Sequence, residues 1–281
     1  MIKKLINLII FSIYSFYSFS TAAAGKKISK IIIDAGHGGK DVGARGRISD
    51  EKDLTLSLSL RLGKMIRDSL KDVQVIYTRT SDIYPSLSER HEIANQAKGD
   101  LFISIHINSS PGSFEKSVVG YKTVGKGKRK TKRPIYRTIH HRESNASGTE
   151  TYVLGLHRNA QKEGAIGEYG EDVADEPGLL DENDPQTAII IAQYAQAFLS
   201  RSVSLGSKIQ QEFANQGRRD MGVKQKGLEV LAGSAMPGVL IEAGFINNIE
   251  EEAYMNSEDG QREITTAIFR AIKNYKIEAE R

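Results

Sequence analysis

The segment ISKIIID, residues 28–34, constrains the fold most, because it is a short β-branched run that ends in a polar residue. Such a run is typical of a buried strand. A glycine-rich loop follows it, and apolar residues then recur at helical spacing, which predicts an amphipathic helix over residues 51–70. A buried strand that leads through such a loop into an amphipathic helix is typical of α/β folds.

The regular order of strands and helices continues along the chain. Strands are predicted over residues 73–79, 101–107, 150–154, 228–231 and 237–242, and helices over residues 86–98, 185–216 and 260–275. We therefore expect a single α/β domain with a mixed, largely parallel sheet flanked by helices, and functional groups at the carboxyl ends of its strands. A chain of 281 residues, 39% of them hydrophobic, is long enough to build that core.

Residues 1–24 are typical of a secretory signal peptide, because Lys3 and Lys4 precede an apolar run over residues 5–19 and three alanines then precede Gly25. The run is shorter than the roughly 20 apolar residues of a membrane-spanning helix, so an uncleaved anchor is the lesser alternative. We expect an exported protein, periplasmic first and extracellular second, without a membrane span after cleavage. Removing Lys3 and Lys4 leaves 37 basic and 35 acidic residues, which gives no reason to expect nucleic acid as a partner.

The chain contains no cysteine, so any metal must be held by His, Asp or Glu. A zinc hydrolase needs three protein ligands, commonly His and a carboxylate, and an open position. His37 after a strand, Glu51 at a helix start and His106 near a strand end meet that requirement and should converge on one rim of the sheet. Taken singly, each has an ordinary alternative: a turn residue, a carboxylate at a helix N-terminus, and a hydrogen-bonded histidine at a sheet edge.

The surroundings of His37 favour the metal interpretation. Three glycines flank it and let the backbone approach an ion closely. Asp34 and Asp41 are near enough in sequence to orient its ring. Glu242 ends the hydrophobic segment PGVLIE, where a carboxylate is costly unless it is partnered or catalytic. Beside a metal it could act as general base; it could also be a fourth ligand or a salt-bridge partner.

Two charge-biased segments interrupt the regular order. Ten Lys or Arg and no acidic residue lie between Lys116 and Arg142, and we treat residues 116–149 as an exposed basic insertion. Nine Asp or Glu and no basic residue lie between Glu163 and Asp184, within an acidic segment over residues 158–186. The two could dock on each other or on a charged substrate, or they could be two solvated loops.

Four stretches of the chain, IIIDAGHGGKDVGARG, DEKDLTL, DLFISIHINSS and MPGVLIEAGFINN, resemble the zinc-dependent N-acetylmuramoyl-L-alanine amidases of the third amidase type. YTR around Arg79, LSERHEIAN around Arg90 and GTETYVLG around Glu150 add to the resemblance, which spans most of residues 28–275. It implies one Zn²⁺ per chain, with His37, Glu51 and His106 as its ligands. It also implies Glu242 as the catalytic carboxylate.

The resemblance also implies the reaction. Residues 25–281 would form a catalytic domain that hydrolyses the amide between N-acetylmuramic acid and L-alanine in peptidoglycan, during cell-wall remodelling or daughter-cell separation. Asn108, just past the second histidine, is a candidate substrate contact, whereas Arg79 and Arg90 are expected to be structural.

Some similar amidases carry an inserted helix over the active site, and the acidic segment could serve that role by its position. Glu168 or Glu171 would then occupy the open zinc position until a protein activator displaces the segment. Two other functions stay open from the residues alone: a zinc peptidase that cuts within the stem peptide, and a shut or non-catalytic module that binds peptidoglycan.

Overall fold

The computed structural model describes residues 27–169, 180, 184 and 186–281. The expected signal peptide and Glu171 lie outside these residues. The strands are β1 (Lys30–Ala35), β2 (Gln74–Tyr77), β3 (Leu101–Asn108), β4 (Ser113–Val124), β5 (Thr131–His141), β6 (Thr149–Leu154), β7 (Asp220–Lys226) and β8 (Gly238–Phe245). The helices of four or more residues are α1 (Glu51–Ser69), α2 (Leu87–Gln96), α3 (Asn159–Glu168), α4 (Thr187–Asn215), α5 (Glu229–Ala232), α6 (Ile249–Asn256) and α7 (Glu258–Ala279).

Six strands form the central sheet in the order β2-β1-β3-β8-β6-β7. Strands β2, β1, β3 and β8 are parallel, β6 is antiparallel to β8, and β7 is parallel to β6. The predicted mixed, largely parallel sheet is therefore confirmed. Strands β1, β3 and β8 end, and β6 begins, at one edge of the sheet, which we call the carboxyl edge; the opposite one is the amino edge.

The two faces of the sheet are covered differently. Helices α1, α4 and α7 pack on the first face, where alternate strand residues are fully buried isoleucine and valine. On the second face, α2 and α5 cover the half nearer the amino edge by packing on Phe102 and Leu240. Nearer the carboxyl edge this second face carries polar side chains instead, and His106, Glu242 and Glu150 are neighbours there in the strand register.

One predicted strand is wrong, one helix begins earlier than expected, and the edge strand of the central sheet was missed. Residues 228–231 form most of α5 rather than a strand, because a four-residue apolar run does not distinguish the two by periodicity. Strand β7 lies at the sheet edge, and its sequence DMGVKQK is too polar to predict a strand. The helix expected over residues 260–275 is α7, which starts earlier, where the side chain of Ser257 accepts a hydrogen bond from the Gly260 amide.

The segment expected to be a basic insertion contributes to a long antiparallel hairpin. Strands β4 and β5 pair from Ser113↔His141 to Val124↔Thr131, with one irregularity between Val118 and Gly120. We call residues Ser113–His141 the basic hairpin. Most described side chains of the two strands are exposed. The sequence did not predict these strands, because apolar and basic residues alternate irregularly around Val119, the extra residue in β4.

The described part of the acidic segment lies at the amino edge. In α3, Ile166 packs with Phe198 of α4 and with Ala235, which lies just before β8. The Lys162 ammonium is buried and donates to the carbonyls of Leu231, Ser234 and Met236.

None of the helices in the described part of the chain combines the length and apolar character needed to cross a membrane.

Lys162 makes the stability of the domain pH-dependent. Burial lowers the pKa of Lys162 to about 7, although its carbonyl acceptors favour the charged form. The unfolded chain takes up the proton near pH 10, so proton uptake favours unfolding between about pH 10 and pH 7. We expect the free energy of unfolding to rise with pH across this window, by at most about 4 kcal/mol from this group. Urea unfolding should show a smaller rise for Lys162→Met; equal slopes in both proteins would contradict the prediction.

Candidate metal centre

The structure brings His37, Glu51 and His106 together at the carboxyl edge. One ligand atom from each residue lies within 4.8 Å of the others. Glu51 Oε1 is 3.1 Å from His37 Nε2 and 2.9 Å from His106 Nδ1. The three elements that carry these side chains, the loop after β1, the first turn of α1 and strand β3, converge because parallel strands end at the same edge.

Backbone and side-chain contacts fix the orientation of each side chain. Asp41 Oδ2 lies 2.8 Å from His37 Nδ1 and so directs the Nε2 atom of His37 toward Glu51. The amides of Ala44 and Ile107 donate to the two oxygens of Glu51, at 2.8 and 3.0 Å. The remaining lone pairs of Glu51 Oε1 therefore face the two imidazoles.

Glycine is required where the loop backbone touches these side chains. A Cβ atom on Gly36 would lie 2.4 Å from the Cε1 atom of His106, and one on Gly43 would lie 2.6 Å from Glu51 Oε2. His37 itself has a φ of 61°, in the left-handed region, which few non-glycine residues adopt. The loop is therefore shaped to bring three potential ligands together at some conformational cost.

The carboxylates of the cluster favour positive charge beside them. Burial alone would raise the pKa of Glu51, but hydrogen bonds from His106 and His37 hold the pKa of that carboxyl well below its usual range. Burial alone would lower the pKa of His37. The neighbouring carboxylates of Glu51 and Asp41 outweigh burial and raise the pKa of His37 to about 9. Two imidazole nitrogens around an ionised carboxylate form the donor set that Zn²⁺ prefers when cysteine is absent.

Buried charged side chains support the loop from below. Asp34 accepts hydrogen bonds from Thr78, Ser104 and Arg90 at 2.6 to 2.7 Å. Its carboxylate is thus committed to these partners, and the expectation that it orients the His37 ring is wrong. Arg90 donates to the carbonyl of His37 at 2.7 Å, and Arg79 donates to that of Gly36 at 2.9 Å. Both arginines hold the backbone of the loop, as a structural role requires.

Glu242 lies beside the cluster on β8. It is the register neighbour of His106 on one side and of Glu150 on the other. Its Oε2 atom is buried and has no hydrogen-bond partner in the described part of the chain. Burial raises the pKa of Glu242 to about 7, the charge of His106 opposing this. A carboxyl group that can exchange a proton near neutral pH therefore lies next to the three potential ligands.

Sequence reasoning missed a polar network that continues from Glu242 toward the edge strand. Glu150 accepts hydrogen bonds from Asn108 Nδ2 at 2.6 Å and Tyr152 OH at 2.7 Å, and pairs with Lys224. Asn108 is thus engaged by Glu150. Lys226 Nζ lies 4.8 Å from the centre of the Tyr152 ring. Lys224 and Lys226 alternate in DMGVKQK and so share one face of β7, but this spacing is informative only once the segment is known to be a strand.

The structure does not bring Glu168 to the cluster. It is the last residue of α3, whose preceding turn packs at the amino edge. The ligands lie at the carboxyl edge, and the group of potential metal ligands found among the described residues contains only His37, Glu51 and His106. Glu168 is therefore not a ligand in this arrangement, and the second candidate, Glu171, lies outside the described residues.

Comparison with known proteins identifies the relatives of this chain. Residues 31–274 match the family N-acetylmuramoyl-L-alanine amidase. The chain is 30% identical over 249 residues to the N-acetylmuramoyl-L-alanine amidase AmiC of Escherichia coli, covering 87% of this chain and 52% of that protein. It is 31% identical over 279 residues to the probable amidase AmiB of Haemophilus influenzae, covering 95% and 56%. The chain thus spans about half the length of these curated relatives.

Solved structures share the fold. The crystal structure of an N-acetylmuramoyl-L-alanine amidase from Clostridium difficile aligns with a TM-score of 0.58 and 24% sequence identity, over 89% of this chain and 97% of that one. At this identity the likeness speaks for the fold alone. The family match covers all four residues of the candidate centre.

Proposed function

The chain belongs to the N-acetylmuramoyl-L-alanine amidase family, and from that membership we propose that it hydrolyses the amide between N-acetylmuramic acid and L-alanine in peptidoglycan. The observation that carries the proposal is the pairing of a His-Glu-His cluster with the buried, unpartnered oxygen of Glu242. Amide hydrolysis needs both a group that polarises the carbonyl and a group that moves a proton from water to the leaving nitrogen.

His37, Glu51 and His106 would hold one Zn²⁺ per chain. Bound there, the ion would supply Lewis-acid polarisation of the scissile carbonyl and acidify water. Asp41 keeps Nε2 of His37 directed to the ion, and the Ala44 and Ile107 amides keep the Glu51 carboxylate in place. These contacts limit the rearrangement needed for metal binding, because the side chains already face one another.

Glu242 would act as general base and then as general acid. Its free oxygen accepts the proton of the attacking water, and the protonated carboxyl then delivers that proton to the departing amine of L-alanine. A pKa raised by burial to about 7 suits both steps near neutral pH. The neighbouring Glu150 is kept ionised by Lys224, because burial raises its pKa but this ion pair and hydrogen bonds lower it further. The two carboxyl groups therefore have different protonation behaviour, and Glu242 is the one that can exchange a proton near neutral pH.

Digestion of purified sacculi tests this function. We expect the zinc-loaded protein to release intact stem peptides with a free N-terminal L-alanine, and a chelator to stop the release. Mass spectrometry separates this outcome from the peptidase alternative, which would shorten the stem peptides and leave L-alanine attached to muramic acid. Absence of any product from the zinc-loaded protein would favour the shut or non-catalytic binding module instead.

Removing the shared carboxylate should abolish metal binding. For Glu51→Ala we expect the affinity for Zn²⁺ to fall by more than about a hundredfold, since loss of a group that only hydrogen-bonds to a metal ligand already costs up to that amount. Asp53→Ala is the matched control, because it is an exposed carboxylate in the same helical turn. Competition with a chromogenic zinc chelator measures both. Equal affinities in the two variants would show that the ion binds elsewhere.

The cellular setting is part of the proposal. We propose that the enzyme acts after export, in the periplasm or outside the cell, in cell-wall remodelling or daughter-cell separation. Control by a protein activator is compatible with this setting, but Glu168 would have to leave its place at the amino edge to reach the cluster. Deleting residues 163–184 tests autoinhibition, because a shut enzyme would gain activity and an open one would not.

A further inference from the structure

The basic hairpin projects from the same edge of the sheet as the candidate centre. Strand β4 begins five residues after Asn108, and its 12 residues give the hairpin a length of about 40 Å. Asn247 ties the base to the domain by donating to the carbonyls of Ser110 and Arg142, at 2.9 and 2.7 Å. Among the described residues, the hydrogen bonds that join hairpin and domain lie at this base. The rest of the basic hairpin therefore extends away from the domain at the carboxyl edge, beside the candidate centre.

One face of the hairpin carries a row of exposed aromatic and apolar side chains. The register places on that face Phe114, Val118, Tyr121 and Tyr136, which are 66%, 47%, 65% and 58% exposed. The extra residue Val119 shifts the alternation by one, which brings Tyr121 to the same face as Val118. The pair of Lys116 and Thr138 separates Phe114 from the other three side chains of this face. Two-stranded hairpins are marginally stable in water, and clustered exposed apolar side chains mark an interaction site. This face of the basic hairpin is thus suited to binding a partner.

The charge of the hairpin defines the partner as anionic. No acidic residue lies between Lys116 and Arg142, and seven of the ten basic residues there fall within residues 122–133, around the turn. The described part of the acidic segment of the same chain lies at the amino edge, opposite the edge from which the hairpin projects. The substrate polymer combines both chemistries that the hairpin presents: sugar rings with apolar C–H faces, and stem peptides that carry carboxylates.

We propose that the basic hairpin is a binding arm for the peptidoglycan polymer. Its aromatic face stacks on sugar rings of the glycan strand, and its basic residues pair with stem-peptide carboxylates beyond the scissile bond. The inference rests on the proposed function. A glycan strand whose scissile amide lies at His37, Glu51 and His106 would continue past the carboxyl edge, from which the hairpin projects. A lipid surface fits less well. A hairpin that inserts into a membrane would carry aromatic residues at its turn and cations further back, whereas here the cations lie around the turn and the aromatic residues lie along the strands.

Binding measured apart from turnover tests the arm. Sedimentation of the full mature chain with purified sacculi is performed in a Glu242→Gln background, so that no substrate is consumed. The charge variant is Lys130→Gln/Lys132→Gln/Arg133→Gln, and the aromatic variant is Tyr121→Ser/Tyr136→Ser. The matched control removes three exposed cations from the C-terminal part of the chain, as Arg270→Gln/Lys273→Gln/Arg281→Gln. Near-UV and far-UV circular dichroism verify folding.

We expect sacculus affinity to fall about tenfold in the charge variant, and also in the aromatic variant, and to stay unchanged in the control. Binding of the parent should weaken with added salt. With Glu242 restored, all variants should cleave a soluble disaccharide peptide at the parental rate, because the arm touches only the extended polymer. Unchanged sacculus affinity in both hairpin variants would overturn the proposal, as would hairpin-dependent binding to phosphatidylglycerol vesicles without a loss on sacculi. Failure of the parent to cleave the soluble fragment would sink the amidase function instead and leave the binding result readable.

Discussion

Replacing Glu242 with glutamine is expected to lower kcat/KM for peptidoglycan by about a thousandfold, the middle of the range for losing a general acid-base group. Glutamine keeps the size and shape of the side chain but cannot take up the proton of the attacking water. Because Glu242 Oε2 has no hydrogen-bond partner in the described structure, the amide should cost the fold little. Release of stem peptides from sacculi, followed by mass spectrometry, measures the loss.

The same substitution must leave the metal site intact if Glu242 is a base rather than a fourth ligand. We expect Glu242→Gln to bind Zn²⁺ with parental affinity, in contrast to Glu51→Ala. The charge-matched control is Glu250→Gln, an exposed glutamate in the first turn of α6, which should keep full activity. A Glu242→Gln variant that loses zinc along with activity would assign the residue to the ligand set instead.

The sequence was sufficient to predict which residues of the candidate site converge where those residues lie at the ends of regular strands and helices. His37, Glu51 and His106 could be predicted to converge because a parallel sheet gathers the ends of β1 and β3 and the start of α1 at one edge. Spacing gave no information on the contacts of Asp34, since a residue at the end of β1 has the loop, β2 and β3 equally within reach. Its partners Thr78 and Ser104 are set by the strand register.

The missed strands are polar or irregular. β7 lies at the sheet edge and reads as a loop, so the placement of Lys224 and Lys226 beside Glu150 and Tyr152 could not be foreseen. The extra residue in β4 breaks the alternation that would have predicted the hairpin. The direction in which α3 leaves the sheet follows from β6 being antiparallel, a topological fact that local patterns do not contain. For that reason Glu168 looked closer to the ligands than it is.

Loss of the carboxylate at Asp34 is expected to have the largest effect on stability. Asp34 is 1% exposed and Arg90 is 3% exposed, and their side chains are 2.7 Å apart. Burial would raise the pKa of Asp34, but the charge of Arg90 and the hydrogen bonds of Thr78 and Ser104 lower it overall. Asp34→Ala leaves a guanidinium buried without its counter-charge, which costs about 3 to 5 kcal/mol. Urea unfolding measures the change.

A double-mutant cycle separates the pair from its surroundings. Asp34→Ala/Arg90→Met removes both charges, and we expect it to be less destabilised than the sum of its single variants, because neither charge is left buried alone. The exposed pair of Lys64 and Asp68, joined by a hydrogen bond one turn apart on α1, is the control, and its loss should change the unfolding midpoint little. Additive effects at Asp34 and Arg90 would show that the two do not act as a buried pair.

The same cycle links stability to function through one contact. Arg90 donates to the carbonyl of His37, a residue held in the left-handed region. Without that donor the loop can relax to an ordinary conformation, which moves Nε2 of His37 away from Glu51. We therefore expect Arg90→Met to lower zinc affinity as well as stability, by about ten- to a hundredfold. Parental zinc affinity in a folded Arg90→Met variant would show that Asp41 and the glycine contacts alone position His37, and that the buried pair serves stability only.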